Sequence, residues 1–551
     1  MDSSGVALWG RSVARLLAAT GGSPRGAATL WILLAWGAGG VGCAGDQRFP
    51  LREVMWRDHD QRAFGPEPEE YVSPFAWDGA NQIVFRPVAR FFAVDPAGRA
   101  VNVNAYDEVP DSSWFVNRIG RAPLSESEII RGSCGEKELD PSMPDGSWVV
   151  DKGKPNGANP GFRVNIPGVG KFMLKADPDG EPERATGATA IASRIYHAAG
   201  YFAPCDSVVY FRSELLKLEP RLEVTDNSGI TRPFDQKALE KVLAGASKRN
   251  GLVRMGASEW LPGKPLGPFQ YDGTRDDDPN DVIDHQDRRE LRGARLLAAW
   301  LNHFDTREQN TMDVFMADAA REGQGYVRHY ILDLGDCFGS VWESEEISKR
   351  LGHAYYLDVP YLAEDFATLG MIEQPWERNR RDAGIFNYFS ARDFDPELWR
   401  GGYPNPAFMR MTEADGAWMA RIIARFSDED IAAAVSVGKY DIASARYLTE
   451  TLITRRDRIL RRYFSKLAPL AELHVRGSAL CGVDLDVARN RARGGQLCVD
   501  LSSQRVAEMD RSADPKYFVV ELPSGTRTPV RAHLYDLGRA HALRLVGIER
   551  E

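Results

Sequence analysis

The sequence lacks an excess of basic residues and lacks any CxxC pair of cysteines. Its 69 Lys and Arg residues are outnumbered by 78 Asp and Glu residues, which gives a formal net charge of -9 at pH 7. Because a nucleic-acid-binding protein normally presents a basic surface, this balance argues against that class of partner. With six cysteines and no close pair among them, a structural zinc site is not expected. Internal repeats and low-complexity tracts are also absent from the sequence.

Long apolar runs are absent except at the N-terminus, between Ala27 and Gly42. Basic residues precede this run and Cys43 follows it, a pattern typical of an export signal with lipidation at the cysteine. A lipobox usually carries Leu three residues before its cysteine, where this chain has Gly40. The alternative is an uncleaved anchor, because the run approaches the roughly 20 apolar residues that span a bilayer. We therefore expect residues 1–45 to direct export, to the periplasm or outer membrane as a lipoprotein or to the inner membrane as an anchored protein.

The length of 551 residues, 43% of them hydrophobic, predicts about two to four domains with ample material for buried cores. After the N-terminal signal we expect a β-rich extension at 46–146, because Ile83–Phe85 and Arg90–Val94 resemble strands. Residues 147–466 carry sharper strand and helix patterns and form the predicted central domain. From 467 to 551 the apolar residues alternate with period two, which predicts a small all-β domain.

Two cysteines of that last region, Cys481 and Cys498, are 17 residues apart in a strand-patterned stretch. In an oxidising compartment they could form a disulfide. Closing a loop of that size contributes about 3 kcal/mol to stability in the chain-entropy model.

Three short strands joined by Gly and Pro turns open the central domain, which predicts an antiparallel meander of Ser147–Val150, Phe162–Ile166 and Lys171–Lys175. Alternation along the third strand places Met173 and Lys175 on one face. We take the positively charged Lys175 side chain as the candidate that would contact the phosphates of a nucleotide. Gly157 and Gly161 in the connecting hairpin would let the backbone approach those phosphates. On its own, this pattern more commonly belongs to a solvated lysine next to an ordinary hairpin.

A second group of polar residues follows the apolar helix predicted over Arg288–His303. Asp305 and Asn310 are five residues apart, the spacing of a kinase catalytic loop, and Arg307 lies between them. An apolar strand then ends in Asp333-Leu-Gly, 23 residues after Asn310. A single Asp/Asn pair is far more often a helix cap than a ligand. The ordered series of lysine strand, Asp-x4-Asn and strand-Asp-Leu-Gly is more specific than any one of its parts.

This series resembles the atypical kinase-like superfamily, with the HipA-type, CotH-type and phosphoinositide kinases nearest in pattern. The resemblance covers roughly residues 147–466 and implies an α+β fold, with a two-lobed protein-kinase-like core followed by the C-terminal all-β domain. It also implies ATP and Mg²⁺, or Mn²⁺, as cofactors. The implied roles are orientation of the acceptor hydroxyl by Asp305, γ-phosphate contact by Arg307, metal binding by Asn310 and Asp333, and nucleotide binding by Lys175, Gly157 and Gly161.

The chain departs from the kinase pattern in three places. Phe304 replaces the arginine that precedes the catalytic aspartate, so control of activity through that arginine is not expected. The helix after Lys175 offers no clear glutamate partner, and Glu183, just before it, is the nearest candidate. Asp336 competes with Asp333 as the metal ligand, although Asp333 fits the strand end better.

Two functions remain open from the sequence. The first is an exported phosphotransferase that moves phosphate from ATP to a hydroxyl of a protein or envelope acceptor. The second is an inactive kinase-like scaffold or binding lipoprotein of the cell envelope, anchored to a membrane through its N-terminus. The segments Asp107–Phe115 and Arg288–Gly293 also resemble a group of exported proteins of myxobacterial type.

Overall fold

The computed structural model describes residues 48–62, 66–72, 75–92, 98–135, 139–154, 159–178, 180–225, 230–341, 344–490, 495–501, 507–510, 515–522, 527–538 and 543–550. The apolar run and Cys43 lie outside these residues, as does Gly157. The described residues from Leu51 onward belong to one compact unit of mixed α+β structure, the fold class expected from the sequence. Within the described part of the chain, no helix has both the length and the apolar character that a membrane crossing requires.

The first described elements are helices, so the predicted β-rich extension at 46–146 is wrong for the residues that the structure describes. Helix α1 (Phe75–Ala80) continues through a π-helical turn, Asn81–Phe85, into α2 (Arg86–Phe92). The strand prediction failed because the periodicity of a short aromatic run does not distinguish a strand from a helix. Contacts between residues close in the sequence favour the helix here. Trp77 stacks on Phe85 with ring centroids 5.5 Å apart, at a spacing of two helical turns.

A further short helix, α3 (Glu126–Arg131), precedes the large sheet, and α3 begins with a capping box at Ser125. The strands of that part of the chain are β1 (Trp148–Gly153), β2 (Gly161–Ile166), β3 (Gly170–Lys175), β4 (Asp206–Phe211), β5 (Leu216–Leu218), β6 (Glu223–Thr225), β7 (Thr231–Pro233), β8 (Lys248–Arg249) and β9 (Leu252–Glu259). The large sheet has the order β4-β9-β3-β2-β1-β5, with β8 also paired to β9. The predicted antiparallel meander is confirmed as β1-β2-β3.

Two helices accompany this sheet. Helix α4 (Arg184–Ala199) follows β3 and is buried along almost its whole length, and α5 (Gln236–Gly245) lies before β8. Gly200 ends α4 with φ 131°, and a Cβ there would meet the ring of Phe115 at 2.2 Å. The sheet has an apolar core of its own, which includes Trp148, Phe162, Phe172, Leu174 and Phe211.

The chain then becomes mostly helical around a second, larger core. Its elements are β10 (Lys264–Gly267), α6 (Arg289–Leu301), β11 (Thr311–Ala317), β12 (Gly325–Ile331), α7 (Glu345–Arg350), α8 (Val359–Thr368), α9 (Pro406–Met409), α10 (Glu413–Ile423), α11 (Asp428–Ser436) and α12 (Ile442–Tyr463). Strands β10, β11 and β12 form a small antiparallel sheet. Helix α6 is buried on all sides near its end, as its uniformly apolar last turns predicted.

The C-terminal region is β-rich with one short helix. It contains β13 (Leu470–Arg476), β14 (Ala479–Asp484), α13 (Leu485–Asn490), β15 (Gln496–Asp500), β16 (Ala507–Asp510), β17 (Lys516–Leu522), β18 (Val530–Asp536) and β19 (Leu543–Arg550). These strands form two antiparallel sheets, β13-β14-β15 and β16-β17-β18-β19, whose apolar residues share one core. The predicted disulfide between Cys481 and Cys498 is confirmed and links facing residues of β14 and β15. A second disulfide, Cys134–Cys205, was not predicted.

Candidate active site

The β11–β12 hairpin brings Asn310 and Asp333 to the same end of the small sheet. Its register pairs Thr311 with Ile331, so the residues just before β11 and just after β12 are neighbours. The amide of Leu332 donates to the carbonyl oxygen of Asn310 at 2.8 Å, which extends the pairing by one step. Asp333 then has φ 53°, a left-handed conformation that Asp tolerates better than most residues. This turn takes the chain out of the strand and leaves the Asp333 side chain about half exposed, at 49%.

Lys175 meets Asp333 across the cleft between the large sheet and the hairpin. Its Nζ lies 2.8 Å from the Oδ1 of Asp333, although the two residues are 158 positions apart in the sequence. The Lys175 charge lowers the pKa of the Asp333 carboxyl to about 2. Burial disfavours the Lys175 charge, but the Asp333 carboxylate outweighs that effect and raises the pKa of the lysine. The two predicted residues therefore form one ion pair.

Asp305 lies beneath this pair in a buried loop that follows α6. The side-chain amide of Asn310 donates to the Asp305 carbonyl oxygen at 2.7 Å, which fixes the loop on the hairpin. Arg307 Nε lies 3.3 Å from Asp305 Oδ1, an ion pair without hydrogen-bond geometry, and that oxygen has no hydrogen-bond partner among the described residues. Burial raises the pKa of the Asp305 carboxyl, and the Arg307 charge opposes that shift.

Asp336 adds a third carboxyl group at the end of the short 3-10 turn Leu334–Asp336. Its carboxyl group interacts directly with that of Asp305. Burial, the Asp305 carboxylate and the Asp333 carboxylate together raise the pKa of Asp336 to about 7. Two carboxyl groups in contact resist ionising together, so ionisation of Asp336 is held back while Arg307 favours the charged form of Asp305.

Helix α4 holds this turn from behind through a fully buried arginine. Arg184 donates to the carbonyl oxygens of Gly335 at 2.8 Å and Cys337 at 3.0 Å, and it pairs with Glu181 at 2.8 Å. A Cβ on Gly335 would come within 3.0 Å of the hydroxyl of Thr189 on α4. The position of Asp333 and Asp336 is therefore set by packing against α4 as well as by the hairpin.

A divalent cation fits this group of oxygen atoms. No cluster of three or more His, Cys, Asp or Glu side chains that could hold a metal alone occurs among the described residues. Mg²⁺, however, is usually held by one or two carboxylates together with substrate phosphates and water. The amide nitrogen of Asn310 is the atom that donates to Asp305, which leaves its amide oxygen to face a cation. Asn310 and Asp333 would hold such an ion, and its charge would also relieve the crowding of Asp305 and Asp336.

A cavity of about 260 Å³ opens beside the Lys175–Asp333 pair. Its polar end carries Lys175, Asn310 and Asp333, so the candidate cation and both candidate metal ligands face one space. The rest of its wall combines apolar side chains with polar ones, including the carboxyl groups of Asp206 and Glu259, and is lined by Met173, Thr189, Pro204, Asp206, Ser258, Glu259, Trp260, Leu261, Pro265, Gln309, Met312 and Leu332. A cavity that combines apolar side chains with Lys175 suits a ligand that carries both a ring and phosphates.

No protein-family model, no curated protein and no solved structure matches this chain.

The remaining predicted residues have mixed placements. Gly161 faces Lys175 in the β2–β3 register, and a Cβ on it would meet the Leu174 carbonyl oxygen at 2.3 Å, so close packing of the two strands alone requires glycine here. Gly157 lies outside the described residues. Glu183 pairs with Arg249 at 2.8 Å rather than with Lys175. Glu183 is the N-cap residue of α4 and has a left-handed backbone conformation. Its carboxylate is held by Arg249.

Two residues of the site were missed from the sequence. Asp206, the first residue of β4, is only 2% exposed and lines the cavity, and burial raises the pKa of its carboxyl to about 7. Lys154, just after β1, donates to the Asn159 carbonyl oxygen at 2.7 Å. Burial and the Lys175 charge lower the pKa of Lys154 to about 8. Apart from its place in the hairpin that Lys175 also borders, nothing in the sequence indicates that Lys154 lies near the acidic side chains.

Proposed function

We propose that the chain is an exported, two-lobed kinase-like phosphotransferase that moves phosphate from ATP to a hydroxyl of a protein or envelope acceptor. The observation that carries the proposal is the 2.8 Å contact of Lys175 with Asp333 at the mouth of a cavity that Asn310 also lines. The large sheet with α4 would form one lobe, and the helical part with the β11–β12 hairpin the other. Phosphoryl transfer requires mainly positioning and charge neutralisation, and this group supplies both.

The charged and apolar side chains around the cavity indicate how a nucleotide would be oriented in it. Lys175 would neutralise phosphate oxygens in the cavity, and Met173, Met312 and Leu332 would contact the base. Lys154 does not line the cavity, but its charge acts on Lys175 and Asp333 and would add to the positive potential there. Asn310 and Asp333 would hold Mg²⁺ or Mn²⁺, which would supply charge stabilisation. Lys175, which pairs with Asp333 in this structure, would bind phosphate oxygens.

Asp305 would orient the acceptor hydroxyl and accept its proton. Its buried Oδ1 has no hydrogen bond among the described residues, so it has an acceptor site for that hydroxyl. The pKa of Asp305 is raised by burial, which makes it a better proton acceptor than an exposed carboxylate. Arg307, 3.3 Å away, would keep Asp305 ionised in the absence of substrate and would then face the transferred phosphate.

The proposed location outside the cytoplasm agrees with the covalent structure. Two disulfides, Cys134–Cys205 and Cys481–Cys498, lie in the described residues. Disulfides persist mainly in oxidising compartments, so the pairs support export. Processing and lipidation at Cys43 would give the chain a membrane tether, and stable tethering needs two or more acyl chains.

One observation favours a second function, that of a catalytically inactive binding module. The 16 residues of α4 contain no acidic side chain, and Glu183 pairs with Arg249 instead of Lys175. Active protein kinases use a Lys–Glu pair at this place to position the lysine. A scaffold would keep the fold and lose nucleotide binding.

Nucleotide-dependent thermal stability separates the two functions. The purified full chain is heated with ATP, GTP or neither, in the presence of Mg²⁺ or Mn²⁺, beside the Asp333→Asn variant. Nucleotide at about 100 times its dissociation constant should stabilise the wild type by about 2.7 kcal/mol. The variant should show a much smaller metal-dependent effect. Absence of any shift in the wild type would favour the scaffold, and an equal shift in both proteins would remove Asp333 from the site.

A further inference from the structure

A second cavity, of about 310 Å³, lies where the helical part meets the C-terminal strands. It is lined by residues of α10, β13, β19 and two segments near the start of the described chain. Among the described residues it shares no lining residue with the cavity beside Lys175. Its volume is close to the lower end of the range for small-molecule sites.

Three buried N–H groups of residues that line this cavity have no hydrogen-bond partner among the described residues: Trp418 Nε1, Arg425 Nη2 and Arg550 Nε. Trp418 is 0% exposed, the Arg425 side chain 9% and Arg550 4%. Leaving such a donor unsatisfied destabilises the folded state, and buried donors in native proteins are nearly always paired. All three groups are donors, so they call for a hydrogen-bond acceptor and not for another donor.

The charges around the cavity are also unbalanced. Four arginines line it, Arg121, Arg421, Arg425 and Arg550, against two glutamates, Glu108 and Glu472. Arg421 pairs with Glu108 at 2.7 Å, and Arg425 pairs with Glu472 at 2.5 Å. Burial and the neighbouring Arg421 charge lower the pKa of Arg550 to about 10. Asp107, which does not line the cavity, lies 3.6 Å from Arg550 and offsets part of this excess, so the lining keeps a smaller surplus of positive charge.

Most of the remaining wall is apolar, although Asn117 and His474 also line it. Ile422, Leu473 and Ile548 line the cavity together with the ring of Trp56, over which Arg121 is stacked at 4.7 Å. A fully hydrated inorganic ion would leave these side chains without a partner. A ligand with an apolar body would bury them.

We propose that this cavity is a binding site for a small organic anion, with a carboxylate or phosphate group held by Arg425, Arg550 and Trp418 and an apolar body against Ile422 and Leu473. The site is separate from the proposed nucleotide site, and it does not depend on phosphotransferase activity. Because its walls come from both α10 and β13, the ligand would join the helical part to the C-terminal strands.

Calorimetric titration of the full chain with three ring compounds tests the proposal. Benzoate and phenyl phosphate supply the two acid groups, and benzyl alcohol is the neutral analogue. At least one anion should bind tenfold or more tightly than the alcohol, and the stronger of the two identifies the acid group. Equal binding of all three compounds, or no binding of either anion, would overturn the proposal.

Three variants assign the binding to this cavity. Arg425→Leu should weaken binding of the anion at least tenfold, and Arg212→Leu, at an exposed pair with Asp145, should leave it unchanged. Glu472→Gln should strengthen binding several-fold, because Glu472 competes with the ligand for Arg425 and its side chain is 42% exposed. Unchanged binding in Arg425→Leu would contradict the assignment. Should that variant fail to fold, a failure of Glu472→Gln to strengthen binding would contradict it equally.

The two cavities are distinguished by Lys175→Met. Anion binding should be unchanged in this variant, because Lys175 does not line the second cavity. A loss of anion binding in Lys175→Met would show that the anions occupy the first cavity instead, and it would overturn the inference without bearing on the proposed nucleotide site.

Discussion

Lys175 Nζ lies 2.8 Å from Asp333 Oδ1 and joins the end of β3, an interior strand of the large sheet, to the β11–β12 hairpin across the central cleft. The side chains are 24% and 49% exposed, so a ligand can reach both. The contact places a cation and a candidate metal ligand where the phosphates of a nucleotide would lie.

Replacing the lysine of this pair should weaken nucleotide binding selectively. Lys175→Met removes one charge-assisted contact with phosphate, which is worth about 1.5–3 kcal/mol, or about 10- to 100-fold in the dissociation constant of ATP. Lys171→Met is the matched control, because Lys171 lies on the same strand, with its Nζ 4.0 Å from an Asp151 oxygen and its side chain 45% exposed. Equilibrium binding of a labelled nucleotide measures both. Equal affinities in the two variants would argue against a role of Lys175.

The buried acid at the start of β4 should make stability depend on pH. Burial raises the pKa of Asp206 from 3.8 to about 7, so the folded state holds this proton more tightly than the unfolded state. The resulting stability is fully present below about pH 4 and is lost as the pH rises through 7, with a magnitude on the order of 4 kcal/mol.

Asp206→Asn removes this titration while keeping the shape of the side chain. Between pH 4.5 and pH 8, the free energy of unfolding should therefore fall less in the variant than in the wild type. The exposed Asp145→Asn is the control and should follow the wild type. Chemical denaturation at several pH values gives these curves, and parallel curves for Asp206→Asn and the wild type would contradict the prediction.

The turn that carries Asp333 should be sensitive to the arginine behind it. Arg184→Met leaves the Gly335 and Cys337 carbonyl oxygens without this donor and removes the cation that pairs with the buried Glu181 carboxylate. Breaking a buried pair of this kind typically costs about 3–5 kcal/mol of stability. Denaturant unfolding should show that loss, whereas Arg212→Met at an exposed pair should change stability by less than about 1 kcal/mol. A small effect of Arg184→Met would mean that the turn is held by other contacts.

The parts of the site that the sequence predicted are those that local structure brings together. Asp305, Asn310 and Asp333 belong to one continuous loop and hairpin, so their spacing along the chain predicts their proximity. Lys175 was found because strand alternation and the order of motifs both pointed to the cleft. Its direct pairing with Asp333 could not be predicted, since it depends on how two distant elements pack.

The missed residues depend on sheet order rather than on local pattern. Asp206 joins the site because β9 lies between β4 and β3, so that Ser258 faces both Asp206 and Met173. Nothing in the sequence near position 206 signals that arrangement. The aromatic run at 83–85 failed for a different reason, because a short apolar stretch fits a strand or a helix equally well.

Transfer of labelled phosphate is the most direct test of the central claim. The full chain, Asp305→Asn and Asp318→Asn are each incubated with γ-labelled ATP, Mg²⁺ or Mn²⁺, and envelope extract. Asp318 lies at the far end of the same hairpin and controls for changes in fold or charge. The account predicts incorporation of label by the wild type and Asp318→Asn, and a loss of at least 100-fold in Asp305→Asn. Equal incorporation by all three proteins, or none by the wild type while it binds ATP, would contradict it.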